Sequence, residues 1–193
     1  MSFLLLLLSI ITLAFPSSIG NLKMVTVLIL LKNITGGTFP PEINNITNLM
    51  RLQLSYNNFH GHLPTQICLG GSLTHFTATG NHFTGSIPES LKNCSRVRLD
   101  NNHMTGNITN SFGAYPNLDY IDLSNNRLSD ELSSKWSQCN NLTNFKVSNN
   151  NLSGSIPSEI GKATKLVVLH LSLNHLSWEI PKELGRLASL NEL

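Results

Sequence analysis

The sequence predicts an α/β repeat solenoid whose short strands stack into one parallel sheet, and three observations carry that prediction. The first is a recurring asparagine. Asn33, Asn57, Asn81, Asn102, Asn126, Asn150 and Asn174 follow one another at steps of 24, 24, 21, 24, 24 and 24 residues. The second is the company each asparagine keeps. Apolar residues recur eight, five and three positions before it and two after, usually followed by Gly at four, apolar-Pro at six and seven, and an apolar residue at ten. The third is composition. Apolar residues make up 40% of the 193 and charged residues 12%, too apolar for a disordered chain and too lightly charged for a nucleic-acid binder. Aromatics reach only 7%, which suits a small repeated unit better than a jigsaw core. A net charge of +2 implies no acidic partner.

Each slot has a physical reading. The apolar pair at five and three before the anchor has the period of two of a strand with one buried face. The anchor Asn turns the chain inward, where its amide can satisfy backbone groups of adjacent coils. Gly permits positive φ or a close backbone approach, and Pro fixes an extended return segment that donates no hydrogen bond. No coil can bury its leucines alone, so stability comes from nearest-neighbour stacking. The clearest copy runs Leu142, Phe145, Val147, Asn150, Leu152, Gly154, Ile156, Pro157, Ile160.

The form L-x-x-L-x-L-x-x-N-x-L-x-G-x-I-P-x-x-L resembles the plant-specific class of leucine-rich repeat, from about Phe15 to the last residue. That resemblance implies a right-handed superhelix with a parallel concave β-sheet and a 3-10 or irregular convex side. The segments from Gln66 to Leu73 and from Asn141 to Gly154 are similar to ectodomains of receptor-like kinases of the male-discoverer-interacting type. The resemblance implies a cell-surface receptor for peptide or damage signals, with a kinase domain and membrane anchor in a longer parent and none in these residues. A secreted peptide or protein would be its ligand and a co-receptor kinase a further partner.

Departures from the pattern are local. From Cys139 to Asn150 is 11 residues, but from Cys94 to Asn102 only 8, so three residues are missing before one strand and Cys94 falls on the slot of a leucine. Asp130 and Trp178 replace the Gly, and Ser133 and Thr109 the Pro; those coils should stack less regularly. Leu187, Leu190 and Leu193 begin a coil whose anchor would fall near position 198, and no paired-cysteine cap appears at either end. The expectation is a fragment or the product of a truncated gene.

Residues 1–14 form an apolar N-terminal segment and residues 15–193 the repeats. The segment fits a signal peptide in length but lacks a positive n-region, since the first Lys is Lys23. It fits a decayed repeat equally, with Ser9 in the anchor slot and Leu4, Leu6, Ile11, Phe15, Pro16 and Ile19 in register. Sequons at Asn33, Asn45, Asn93, Asn107, Asn141 and Asn151 point to the secretory pathway and an extracellular or cell-surface location. Asn33 occupies an inward slot and is a poor acceptor; Asn45, Asn107 and Asn151 are the better ones, with Asn93 and Asn141 behind them. Cys68 and Cys94 lie in adjacent coils and either form a disulfide or remain, with Cys139, reduced core residues.

A ligand is expected on the concave face, at the residues alternating with the buried strand positions. Charge and aromatics concentrate in the middle coils, giving Arg96, Arg98, Tyr120, Asp122 and Lys146 as one patch, with Arg51 and His75 beside it. Arg96 and Arg98, two apart on a strand, share a face and can grip one carboxylate. The pair resembles the R-x-R element with which some peptide-hormone receptor kinases hold a ligand's free C-terminus. Its plain alternative is a solvated pair balanced by Asp100 or Asp122, and the shortened coil puts its geometry in question. No cofactor, metal or catalytic site is expected: His60, His62, His75, His82, His103, His170 and His175 fall at variable repeat positions, without a coordinated Ser/Cys/Asp set or zinc spacing. Two other readings stand beside the receptor: a stand-alone apoplastic inhibitor of a pathogen enzyme, and a truncated chain with no function.

Overall fold

The computed structural model describes residues 16–70, 72–108, 115–177 and 179–193. The two readings of residues 1–14 and the departures at Thr109 and Trp178 lie outside the described residues.

Seven three-residue strands form the concave sheet: β1 (Val27–Ile29), β3 (Arg51–Gln53), β5 (His75–Thr77), β7 (Arg96–Arg98), β9 (Tyr120–Asp122), β11 (Asn144–Lys146) and β13 (Val168–His170). All are parallel and consecutive in order. Two three-stranded parallel sheets continue each coil after its turn. One joins β2 (Gly36–Thr38), β4 (Asn58–His62) and β6 (His82–Thr84). The other joins β8 (Thr105–Asn107), β10 (Arg127–Glu131) and β12 (Asn151–Ser153). The return side carries one-turn 3-10 helices, η1 (Ser17–Asn21), η2 (Pro41–Asn45), η3 (Glu89–Asn93), η4 (Ser134–Gln138), η5 (Ser158–Lys162) and η6 (Lys182–Arg186).

The apolar periodicity explains where the core sits. The central residue of each concave strand points inward, and Leu28, Leu52, Phe76, Val97, Ile121, Phe145 and Leu169 are all buried. Phe59, Phe83, Met104, Leu128 and Leu152 close the core behind them. Aromatic rings bridge coils within it: Phe59 stacks on Phe83 at 6.1 Å, and Trp136 lies 4.2 Å from Phe145. A proline holds the extended residue that precedes five of the six 3-10 helices. In the sixth, Ser133 substitutes for it and its Oγ accepts from the Lys135 amide at 3.2 Å.

The anchor asparagines form a ladder, buried at Asn57, Asn81, Asn102 and Asn150. Asn150 Nδ2 donates to the carbonyls of Leu123 (3.1 Å), Val147 (3.0 Å) and Ser148 (3.3 Å), while its Oδ1 accepts from Leu128 N at 3.0 Å. Asn81, Asn102, Asn126 and Asn174 repeat this set across their own neighbours. Asn57 makes the donor half of it, reaching the Leu30, Leu54 and Ser55 carbonyls. Asn33 donates only within its own turn, to Leu31 O at 3.3 Å.

Two expectations are corrected. The coil containing Asp130 and Ser133 stacks regularly, because β10 pairs with both β8 and β12 while Asp130 itself adopts φ +79°. The shortened coil also keeps its register: Arg96 lies opposite His75 and Tyr120, and Arg98 opposite Thr77 and Asp122. The three missing residues are those of the turn between helix and strand. Cys139, ending η4, has ψ 72° and turns; Cys94, ending η3, has ψ 148° and runs straight into β7.

Candidate functional site

Position alternation on the concave strands decides what faces outward. In β7 the buried Val97 leaves Arg96 and Arg98 exposed on the same side, and the in-register neighbours carry the surface across coils. Arg51, Gln53, His75, Thr77, Arg96, Arg98 and Tyr120 line one open depression of about 360 Å³. Five of the seven residues proposed from sequence thus meet around one space. Asp122 and Lys146 do not line it. Asp122 is buried, its carboxylate accepting the Ser124 amide at 3.0 Å. Lys146 sits one strand further on, opposite Asp122 and His170.

The depression is basic, and each arginine is held from one side. Arg96 Nε donates to Asp119 at 3.1 Å, and its guanidinium lies 5.6 Å from the centre of the Tyr120 ring. Arg98 Nε faces Asp100 at 3.4 Å. Asp100 is itself fixed by the Thr79 hydroxyl at 2.8 Å and the Asn101 amide at 2.9 Å. Both ion pairs use Nε, and among the described residues no hydrogen bond engages the terminal Nη groups of either arginine. A planar guanidinium gripped along one edge is oriented and keeps donors for an incoming oxyanion. The balancing acid of Arg96 is Asp119 rather than Asp100 or Asp122. It lies seven positions before its anchor, one place outside the alternating columns, so the strand pattern carried no signal for it.

Burial, together with the neighbouring Arg51 and Arg96 charges, lowers the pKa of His75, with Asp119 opposing. His75 therefore favours its neutral form between the two arginines, and its Nδ1 lies 2.9 Å from the Thr74 hydroxyl. Burial and then Asp122 raise the Tyr120 phenol, keeping it protonated and able to donate.

The cysteines and sequons lie elsewhere. Cys68 and Cys94 are joined as a disulfide across adjacent coils, with Cα atoms 6.1 Å apart, and Cys139 is reduced and buried. Burial pushes its thiol up. Asn45 and Asn151 are exposed, and their side-chain amides make no hydrogen bond among the described residues. Asn93, Asn107 and Asn141 already donate, to Cys68 O, Asp130 and Pro116 O respectively. No helix among the described residues is long and apolar enough to cross a membrane.

Comparison with known proteins places this geometry. The Leucine Rich Repeat family pattern matches residues 48–69, 72–94, 117–139, 141–163 and 165–187, more than half of the chain. No curated protein matches the chain. Three solved structures of receptors are similar to it. One is the plant peptide hormone receptor RGFR1 in complex with RGF2, at 35% identity and TM-score 0.86, covering 92% of this chain and 29% of that one. Another is a TDR receptor, at 32% and 0.87, covering 92% and 31%. The third is the Arabidopsis receptor kinase HAESA in complex with the peptide hormone IDA and the co-receptor SERK1, at 34% and 0.86, covering 93% and 31%. The chain spans less than a third of the length of each.

Proposed function

This chain belongs to the leucine-rich-repeat family, and from that premise we propose that it is a ligand-recognition module: part of the extracellular repeat domain of a plant receptor-like kinase that senses a secreted peptide. The observation that carries the reading is the basic depression on the concave sheet, where Arg96 and Arg98 present unused guanidinium donors beside His75, Arg51 and Tyr120. A free peptide carboxylate is the ligand group that such donors favour. The structural likeness to peptide-hormone receptors supports the same ligand class, and a co-receptor kinase would be the second partner. The segments from Gln66 to Leu73 and from Asn141 to Gly154 favour the male-discoverer-interacting type among such receptors. In this reading the chain works outside the cell, glycosylated first at Asn45 and Asn151, and has no catalytic role.

The test is thermal melting of the secreted chain with a pool of synthetic peptides bearing free C-termini, beside an Arg96→Ala/Arg98→Ala variant. A rise in melting temperature that the variant loses supports the reading. Good secretion with no response from the native chain rejects peptide capture and moves weight to an apoplastic enzyme inhibitor.

A further inference from the structure

We propose that His82 and His103 form a binding site for a divalent transition-metal ion of the zinc type, on the flank of the solenoid and independent of the concave depression. Spacing along the sequence gave no sign of it, since the two histidines are 21 residues apart. Each follows its anchor asparagine, Asn81 or Asn102, by one position, and the stacking of adjacent coils brings them together. His82 begins β6, and the His103 amide donates to Phe83 O at 2.9 Å, which sets the two imidazoles side by side. Their rings lie 5.4 Å apart between centres and tilt by 32°. Nδ1 of His82 is 3.4 Å from Nε2 of His103.

That separation is the bite of a metal. A tetrahedral ion about 2.0–2.1 Å from each of two nitrogens holds them about 3.4 Å apart. His82 is exposed and His103 half-buried, so an ion can reach both. His60 lies directly opposite His82 in the adjacent strand and is also exposed, which puts a third imidazole on the same flank. No group of three or more His, Cys, Asp or Glu converges on one point among the described residues. The protein therefore supplies two donors, and water or another molecule completes the shell.

Neutral imidazole coordinates through the nitrogen that carries no hydrogen. In the free protein one of the facing nitrogens bears a hydrogen and donates to the other. On binding, that hydrogen moves through solvent to the far nitrogen of its own ring, so both facing lone pairs turn to the ion with no net proton release.

The experiment is calorimetric titration of zinc sulfate into the full chain, the His82→Ala, His103→Ala and His175→Ala variants alongside, each checked for native circular dichroism. His175 is exposed three coils away from the pair and serves as control. The expected result is one ion per chain, weakened at least about tenfold by either His82→Ala or His103→Ala and unchanged by His175→Ala. Where an alanine variant fails to fold, His82→Asn and His103→Asn replace it, because they keep a polar side chain at each position. Zinc binding unchanged in both the His82 and the His103 variant, or no binding by the native chain at millimolar zinc, overturns the proposal.

Discussion

Cys94 and Cys139 occupy the same slot of two coils, thirteen residues after Asn81 and Asn126, yet the chain treats them differently. After Cys139 it turns, inserts Leu142 into the core and only then enters β11. After Cys94 it has no turn to make and no leucine to insert; the cysteine fills the core itself and is tied to Cys68. The two strands that follow are nonetheless in equal register with their neighbours. The lesson is that the strand and the asparagine rung define a coil, whereas the turn before the strand is dispensable when another link secures it. That link matters for the site, because β7 carries Arg96 and Arg98.

The largest effect that would test this contrast is reduction of the disulfide. Closing a loop with a sequence separation of 26 stabilises by about 3.5 kcal/mol in the chain-entropy estimate. Cys68→Ala should cost about that much in chemical denaturation, while Cys139→Ala should cost only about 1 kcal/mol, for a small cavity. Equal losses would show that the short coil has no special need of its bridge.

Next comes the ladder. Asn150→Ala strands buried carbonyls of two coils and the Leu128 amide, an expected loss of about 3 kcal/mol. Asn33→Ala removes a single bond within one turn and should cost under about 0.5 kcal/mol. Urea melts of the two variants check the difference.

Smaller still is the glycine slot. Gly61, Gly85 and Gly154 hold it with φ of 79°, 76° and 72°, and Asp130 holds it at 79° with a side chain that disfavours that region. Asp130→Gly should stabilise by about 0.5–1 kcal/mol in the same assay, which makes the Asp130 coil more like its neighbours.

The smallest effect concerns pH. His75 has a lowered pKa in the fold, so the unfolded chain binds the proton more readily and stability falls as pH drops below the ordinary value of 6.5. Stability measured against pH should lose part of that acid-side decline in His75→Ala. A decline of unchanged steepness would mean that neither burial nor the two arginines lowers the pKa of the ring.

The architecture was legible because every structural slot repeats. Anchor, strand, glycine and proline each announce themselves several times, and departures such as Asp130 do not obscure the period. The backbone conformation one residue before the anchor was not legible. Lys32, Tyr56, Asn101, Asn125, Asn149 and Leu173 all take positive φ there, and Lys, Tyr and Leu are no turn signal. Tertiary stacking imposes that conformation. The candidate site was partly legible for the same reason. Alternation identified Arg51, His75, Arg96, Arg98 and Tyr120, but it gave Asp122 an outward face, whereas its carboxylate folds back on Ser124. Contacts across coils, such as Arg96 with Asp119 and His82 with His103, depend on how adjacent coils are offset, and the period alone does not state that.

The central claim is that the short coil delivers two oriented guanidinium groups to a ligand carboxylate. The most direct measurement is calorimetric titration of the native chain with one binding peptide in two forms, free acid and C-terminal amide. The account predicts that amidation weakens binding about 10- to 100-fold, the worth of charge-assisted hydrogen bonds from two arginines. Equal affinity for the two forms would contradict it and leave Arg96 and Arg98 as a solvated pair balanced by Asp119 and Asp100.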